Sequence, residues 1–190
     1  MQQPYVENRV PGESEVLTFP SGLVGLPEMR RWILVDMEPP LPMKWLKSLD
    51  REGFRVPVTD PGFFTEQYSF EIDDASQKVV QAEGIDDVVV MIISTVHAGG
   101  SRVTGNLSAP LVVNVTNRIG VQCVLEIGNY SLRQEIHSQR FGDACLAYAA
   151  GHPENVVGTA VDKVMQASYD QARAADPRER ELDEELIDAR

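Results

Sequence analysis

The chemistry-bearing side chains of this 190-residue chain are few and scattered. Its three histidines, His97, His137 and His152, stand alone, with no HxH or HExxH spacing that would offer two imidazoles to one metal ion. The two cysteines, Cys123 and Cys145, form no CxxC and no disulfide framework. Cys123 shares an alternating apolar side with Val121, Leu125 and Ile127, so core packing is expected. The carboxylate pairs Asp73-Asp74 and Asp86-Asp87 could do acid–base work only if burial separated their pKa values. Both flank expected turns, where capping or solvation is the simpler role. Gly99-Gly100-Ser101 reads as a turn rather than a phosphate cradle, and there is no Walker loop and no G-x-S-x-G.

TGNLSAPLVVN, Thr104 to Asn114, is the stretch most like an active-site rim. A nucleophilic Ser108 would need a base within hydrogen-bond reach, and none lies near it in sequence. Period two instead puts Thr104, Asn106 and Ser108 on one face and Gly105, Leu107 and Ala109 on the other. Pro110 then interrupts the ladder before LVVNV. A joint between two strands is the expected role.

The elements around these residues are mainly β as far as Ile136. Short Val-, Ile-, Thr- and aromatic-rich runs alternate with Gly, Pro, Asn and Asp. EVLTF, RRWILVDM, FRVPV, YSFEI, DVVVMIISTVH, LVVNV and VQCVLEI read as strands, with DVVVMIISTVH central and TNRIG a hairpin turn. Pro57 marks FRVPV as an edge strand or a bulge. DDASQKVVQAEG, Asp73–Gly84, predicts one helix with an aspartate cap and a glycine stop. Strands joined by short turns predict an antiparallel β-barrel-like core. Beyond His137 the chain turns alanine-rich and then helical in period, with Val157, Val161, Val164, Met165, Ser168 and Ala172 on one face. The expected organisation is a β-barrel domain over residues 1–137 and a helical, acidic extension over residues 138–190.

The formal charge is -12 and the pI about 4.6. Lys and Arg form no stripe, so direct binding to nucleic acid or to an anionic membrane is not expected. The N-terminus lacks a basic and apolar leader pattern, and the longest apolar run, VVVMII, is too short to span a bilayer. A cytoplasmic location is expected, and no cofactor or metal.

Three blocks, in order, carry a resemblance: LTFPSGLVGLPEMRRWILVD, MKWLKSLDREGFRVPVTDP and TGNLSAPLVVNVTNRIGVQCVLEIGNYSLR. With Trp45-Leu46-x-Ser48-Leu49, Asp60-Pro61, Asn106-Leu107-x-Ala109-Pro110 and Gly120-x-Gln122, the chain from about Val16 to Arg133 resembles the flagellar assembly factor FliW family. The resemblance implies a bacterial, non-enzymatic binding protein with a β-barrel-like core. Its implied partners are newly made flagellin and the carbon storage regulator CsrA, a small RNA-binding dimer that represses flagellin translation. The two would exchange on one assembly factor, coupling flagellin synthesis to export. The chain departs from the family pattern at Leu26-Pro27, at Pro57 and in its added tail of about 50 residues.

Candidate partner-binding residues are Trp45 and Leu46, set between Lys44 and Lys47, where Trp45 is either an exposed aromatic anchor or a core residue. Phe63 and Phe64 are either plugs at the end of the barrel or a flagellin-contacting patch. Asn106 and Pro110 either bind or shape the strand joint. A reading from another class is a small β-barrel enzyme, flavin-binding or hydrolytic, suggested by the β fold and the Thr-Asn-Ser stretch.

Overall fold

The computed structural model describes residues 10–37, 41, 43–97, 102–125, 130–136, and 141, 143, 144, 147 and 150. The amphipathic stripe expected at Val157–Ala172 and the turn at Gly99-Gly100-Ser101 lie outside the described residues.

Among the described residues the architecture is mostly β-sheet, with one short α-helix between its strands. Nine strands run β1 (Val16–Thr18), β2 (Arg31–Asp36), β3 (Met43–Ser48), β4 (Arg55–Thr59), β5 (Val88–Val96), β6 (Val103–Gly105), β7 (Leu111–Asn114), β8 (Gly120–Gln122) and β9 (Gln134–Glu135). The helix α1 (Asp74–Val80) lies between β4 and β5. Beyond the sheet, Phe141, Asp143, Ala144, Ala147 and Ala150 are helical. All ladders are antiparallel, in the order β1-β2-β3-β4-β5-β6-β9.

Strand β5 is the branch point. Val88–Met91 pair with β7, and Ser94–Val96 pair with β6. Ile92 and Ile93 pair with Thr59 and Val58 of β4. One chain run, β6 to β7, therefore follows the length of β5 and leaves it between Asn106 and Pro110.

The sheet does not close into a barrel, which corrects the expectation of a barrel-like core. Among the described residues, β1 pairs with the β7–β8 hairpin only through an isolated parallel bridge, Thr18 to Ile119, with the Thr18 N–H on the Arg118 carbonyl at 2.9 Å. Closure needs a ladder with consistent stagger around the whole sheet, and one bridge does not supply it.

Both faces of the sheet are buried. Register places Trp32, Leu46, Val56, Val58 and Ile93 in one cluster with Phe19, Leu17, Leu111 and Val113. The opposite face carries Met43, Trp45 and Val103, with Met37 and Phe141. This is why β5 reads as continuous apolar sequence instead of alternating.

Pro57 is neither at an edge nor in a bulge. It pairs with Trp45 in a strand flanked by β3 and β5. The Ser48 N–H bonds the Phe54 carbonyl at 2.9 Å, so hydrogen-bonded pairs along β3–β4 fall at even residues of β4. Position 57 makes no ladder bond to β3, and the β4–β5 ladder covers only Val58 and Thr59. The missing N–H costs nothing there.

Helix α1 starts where expected and stops early. The Asp73 carboxylate accepts the N–H groups of Ala75 and Ser76 at 3.0 and 2.9 Å. The helix ends at Val80, four residues before Gly84, with Gln81 left-handed at φ 56°. Two hairpin asparagines take the terminal carbonyls: Asn117 Nδ2 donates to Val80 at 3.1 Å, and Asn114 Nδ2 to Gln81 at 3.2 Å. YSFEI forms no strand. It runs unpaired from Tyr68 to the Asp73 cap.

Candidate partner-binding site

The strand joint at Asn106–Pro110 is closed by hydrogen bonds from three neighbouring segments. The Asn106 N–H donates to Ile93 at 2.9 Å, and its Oδ1 accepts the Ser108 N–H at 3.1 Å. The Leu107 N–H donates to Ser131 at 3.0 Å, and the Ser108 hydroxyl donates to the Tyr130 carbonyl. On the other flank, Cys123 and Leu125 donate to Pro110 and Ser108 at 2.9 and 2.8 Å, and Gln122 Nε2 to Ala109 at 3.2 Å. Ser108 is thus a donor to backbone, with no base among its hydrogen-bond partners in the described residues. This is a structural joint, as period two in the sequence suggests.

Small residues let the joint seat an aromatic. A Cβ on Gly105 would lie 2.6 Å from Phe64 Cζ and 2.9 Å from Ile92 Cγ2. Phe64 packs with Ile92 and Leu107, flanked by Tyr68, Tyr130 and Ile136. The Tyr68 hydroxyl donates to the Leu107 carbonyl. The Tyr130 hydroxyl accepts from the Ser69 N–H at 3.0 Å and donates to the Ser69 carbonyl at 2.7 Å. The two rings meet edge to face, 4.6 Å apart. Burial raises the Tyr68 phenol pKa, so the hydroxyl keeps its donor proton. The two tyrosines therefore pin the 68–73 segment to the joint. Neither stands out in the sequence, where YSFEI has the alternation of a strand.

Of the six candidate contact residues, five are buried: Trp45, Leu46, Phe64, Asn106 and Pro110. Their side chains are not presented to a partner in this conformation. Trp45, 5% exposed, lies with Met37, Met43, Val103 and Phe141, and the Arg55 guanidinium sits 4.6 Å from its ring centroid. Lys44 is exposed and pairs with Asp36. Leu46 is fully buried on the opposite face, so adjacent residues Trp45 and Leu46 serve two different cores. Phe63 is half-buried and stacks on Phe141. The structure brings Trp45 and Phe63 into one cluster and Phe64 into another, and sets Asn106 beside the latter through Leu107.

Burial pushes the Cys123 thiol up to about 11, against a weaker lowering by Ser76, so it is protonated near neutral pH. Among the described residues, no three His, Cys, Asp or Glu side chains are grouped as metal ligands. No helix among them is long and apolar enough to cross a membrane.

The described sheet is thus a frame with aromatics packed on both faces and a joint closed by its own polar side chains. The FliW protein family model matches residues 3–136. The flagellar assembly factor FliW of Caldanaerobacter subterraneus subsp. tengcongensis is 30% identical over 125 residues, 65% of this chain and 83% of its own length. That of Bacillus subtilis is 29% identical over 133 residues, 70% of this chain and 90% of its own. A crystal structure of the flagellar assembly factor FliW superposes with a TM-score of 0.61 at 27% identity, covering 71% of this chain and 93% of that one. The chain belongs to the FliW family. It is a non-enzymatic adaptor of that family.

Proposed function

We propose that this protein is a cytoplasmic flagellar assembly factor that binds newly made flagellin and antagonises the translational regulator CsrA. The family match over 3–136 carries the reading, because it spans every strand of the sheet. Flagellin and the regulator exchange on the assembly factor, so export of flagellin frees it to silence the regulator. The charge of -12 favours a basic RNA-binding partner and opposes direct contact with RNA. Residues 1–137 form the domain that does this, and 138–190 are an acidic extension. Within the first domain, Phe63 is the one candidate whose ring is partly open to a partner; Trp45, Leu46, Phe64, Asn106 and Pro110 act by holding the frame.

A mobility shift on the flagellin leader RNA tests the proposal. The purified protein alone leaves the RNA unshifted, and added to the regulator–RNA complex it releases the RNA. A salt-sensitive shift by the protein alone, or a regulator–RNA complex that survives excess protein, contradicts it.

A further inference from the structure

Beside the Tyr130 clamp lies a cleft of about 780 Å³, lined by Ser69–Asp74 on one wall and by Cys123, Val124 and Leu125 on the other. That volume is within the range of sites that hold small molecules or a few peptide residues. Two features of its walls point to one kind of occupant.

The first is unpaired backbone. The N–H groups of Cys123 and Leu125 both bond the strand joint. Successive N–H groups of an extended chain point to opposite sides, so those of Val124 turn away from the joint. Among the described residues, no hydrogen bond uses the N–H of Val124, Phe70, Glu71 or Ile72. Such an edge is a template for strand addition.

The second is charge. Among the described residues the lining carries Glu71, Asp73 and Asp74 and no Lys, Arg or His, around apolar Phe70, Ile72, Val124 and Leu125. Residues 138–190 hold 11 acidic and 6 basic side chains, so their net charge does not complement this lining.

We propose that the cleft takes an extended peptide segment of a partner protein, alternating apolar with Lys or Arg side chains, which adds as a strand against Val124 and Phe70–Ile72. The inference is independent of which partners the protein exchanges. Backbone bonds give the affinity, and Glu71 and Asp74 select the charge.

The test is an amide NMR titration of the full ¹⁵N-labelled chain with acetyl-Lys-Val-Lys-Val-Lys-Val-amide. The expected result is shifts concentrated at the amides of Phe70–Ile72 and Val124, absent with the Glu-Val counterpart and with a copy N-methylated at alternate residues. Glu71→Lys with Asp74→Lys should weaken binding by about tenfold or more. Val124→Pro, which removes an N–H that takes no partner among the described residues, should do the same without lowering the melting temperature. No shifts at these amides, equal binding of the N-methylated peptide, or unchanged affinity in a folded Val124→Pro overturns the proposal.

Discussion

Phe63 stacks on Phe141, with ring centroids 4.3 Å apart and planes inclined by 26°. The contact ties the chain beyond the last strand to the aromatic end of the sheet. Phe141 is 5% exposed and shares its cluster with Trp45 and Met43. Phe141→Ala should therefore lower the unfolding free energy by about 3–5 kcal/mol. Deleting 138–190 should cost at least as much, so a chain ending at 137 is weaker than its complete β pattern suggests. Urea unfolding of the three proteins checks this. A truncated protein within about 0.5 kcal/mol of full length would refute it.

Trp45 separates anchor from core. Its burial predicts that Trp45→Ala loses about 3–5 kcal/mol of stability. A surface anchor would instead lose partner affinity with the fold unharmed. Thermal melts and partner titration on the same preparation distinguish the two, and an unchanged melting temperature would contradict the packing described here.

Gly105 is constrained by Phe64 rather than by its own backbone angles. Gly105→Ala should overpack that contact and cost about 1–3 kcal/mol. Trimming the ring with Phe64→Leu should recover part of the loss, making the double mutant less destabilised than the two single changes added together. Simple additivity in a double-mutant cycle would argue against the contact.

Asp50 sets an acid dependence. Burial disfavours its charge, but the Arg31 N–H and guanidinium and the Arg30 N–H, each at 2.7 Å, outweigh that and hold the carboxyl below its ordinary range. The folded pKa is depressed, so the contribution to stability is present above the unfolded pKa. It is lost as pH falls through the folded value. Asp50→Asn should flatten this part of the stability curve on the acid side, measured by denaturant unfolding across that range. A curve parallel to that of the unchanged protein would contradict the assignment.

Most strands were legible because they obey local rules: alternation, β-branched residues and turn punctuation. The strand joint was legible for the same reason, through the Thr104, Asn106 and Ser108 alternation and the break at Pro110. What local rules miss is pairing. Pro57 is harmless because of a register set by the Ser48–Phe54 bond, which no short window contains. YSFEI alternates like a strand, yet two tyrosine hydroxyls hold it unpaired. Among its described residues VQCVLEI yields only two ladder residues, Val121 and Gln122, because Cys123 and Leu125 turn to the joint instead. Openness of the sheet depends on a stagger accumulated over all strands. Lys44 and Lys47 make Trp45 look exposed, and the packing of Met37, Met43, Val103 and Phe141 on that face, which no short window contains, explains its burial.

Competition binding shows whether flagellin and the regulator exchange on this protein. Fluorescently labelled CsrA is saturated with this protein, and unlabelled flagellin is titrated in while anisotropy is followed. With partner exchange, anisotropy falls to the value of free regulator as flagellin takes its place. Anisotropy that stays constant, or rises as a three-protein complex forms, would contradict it.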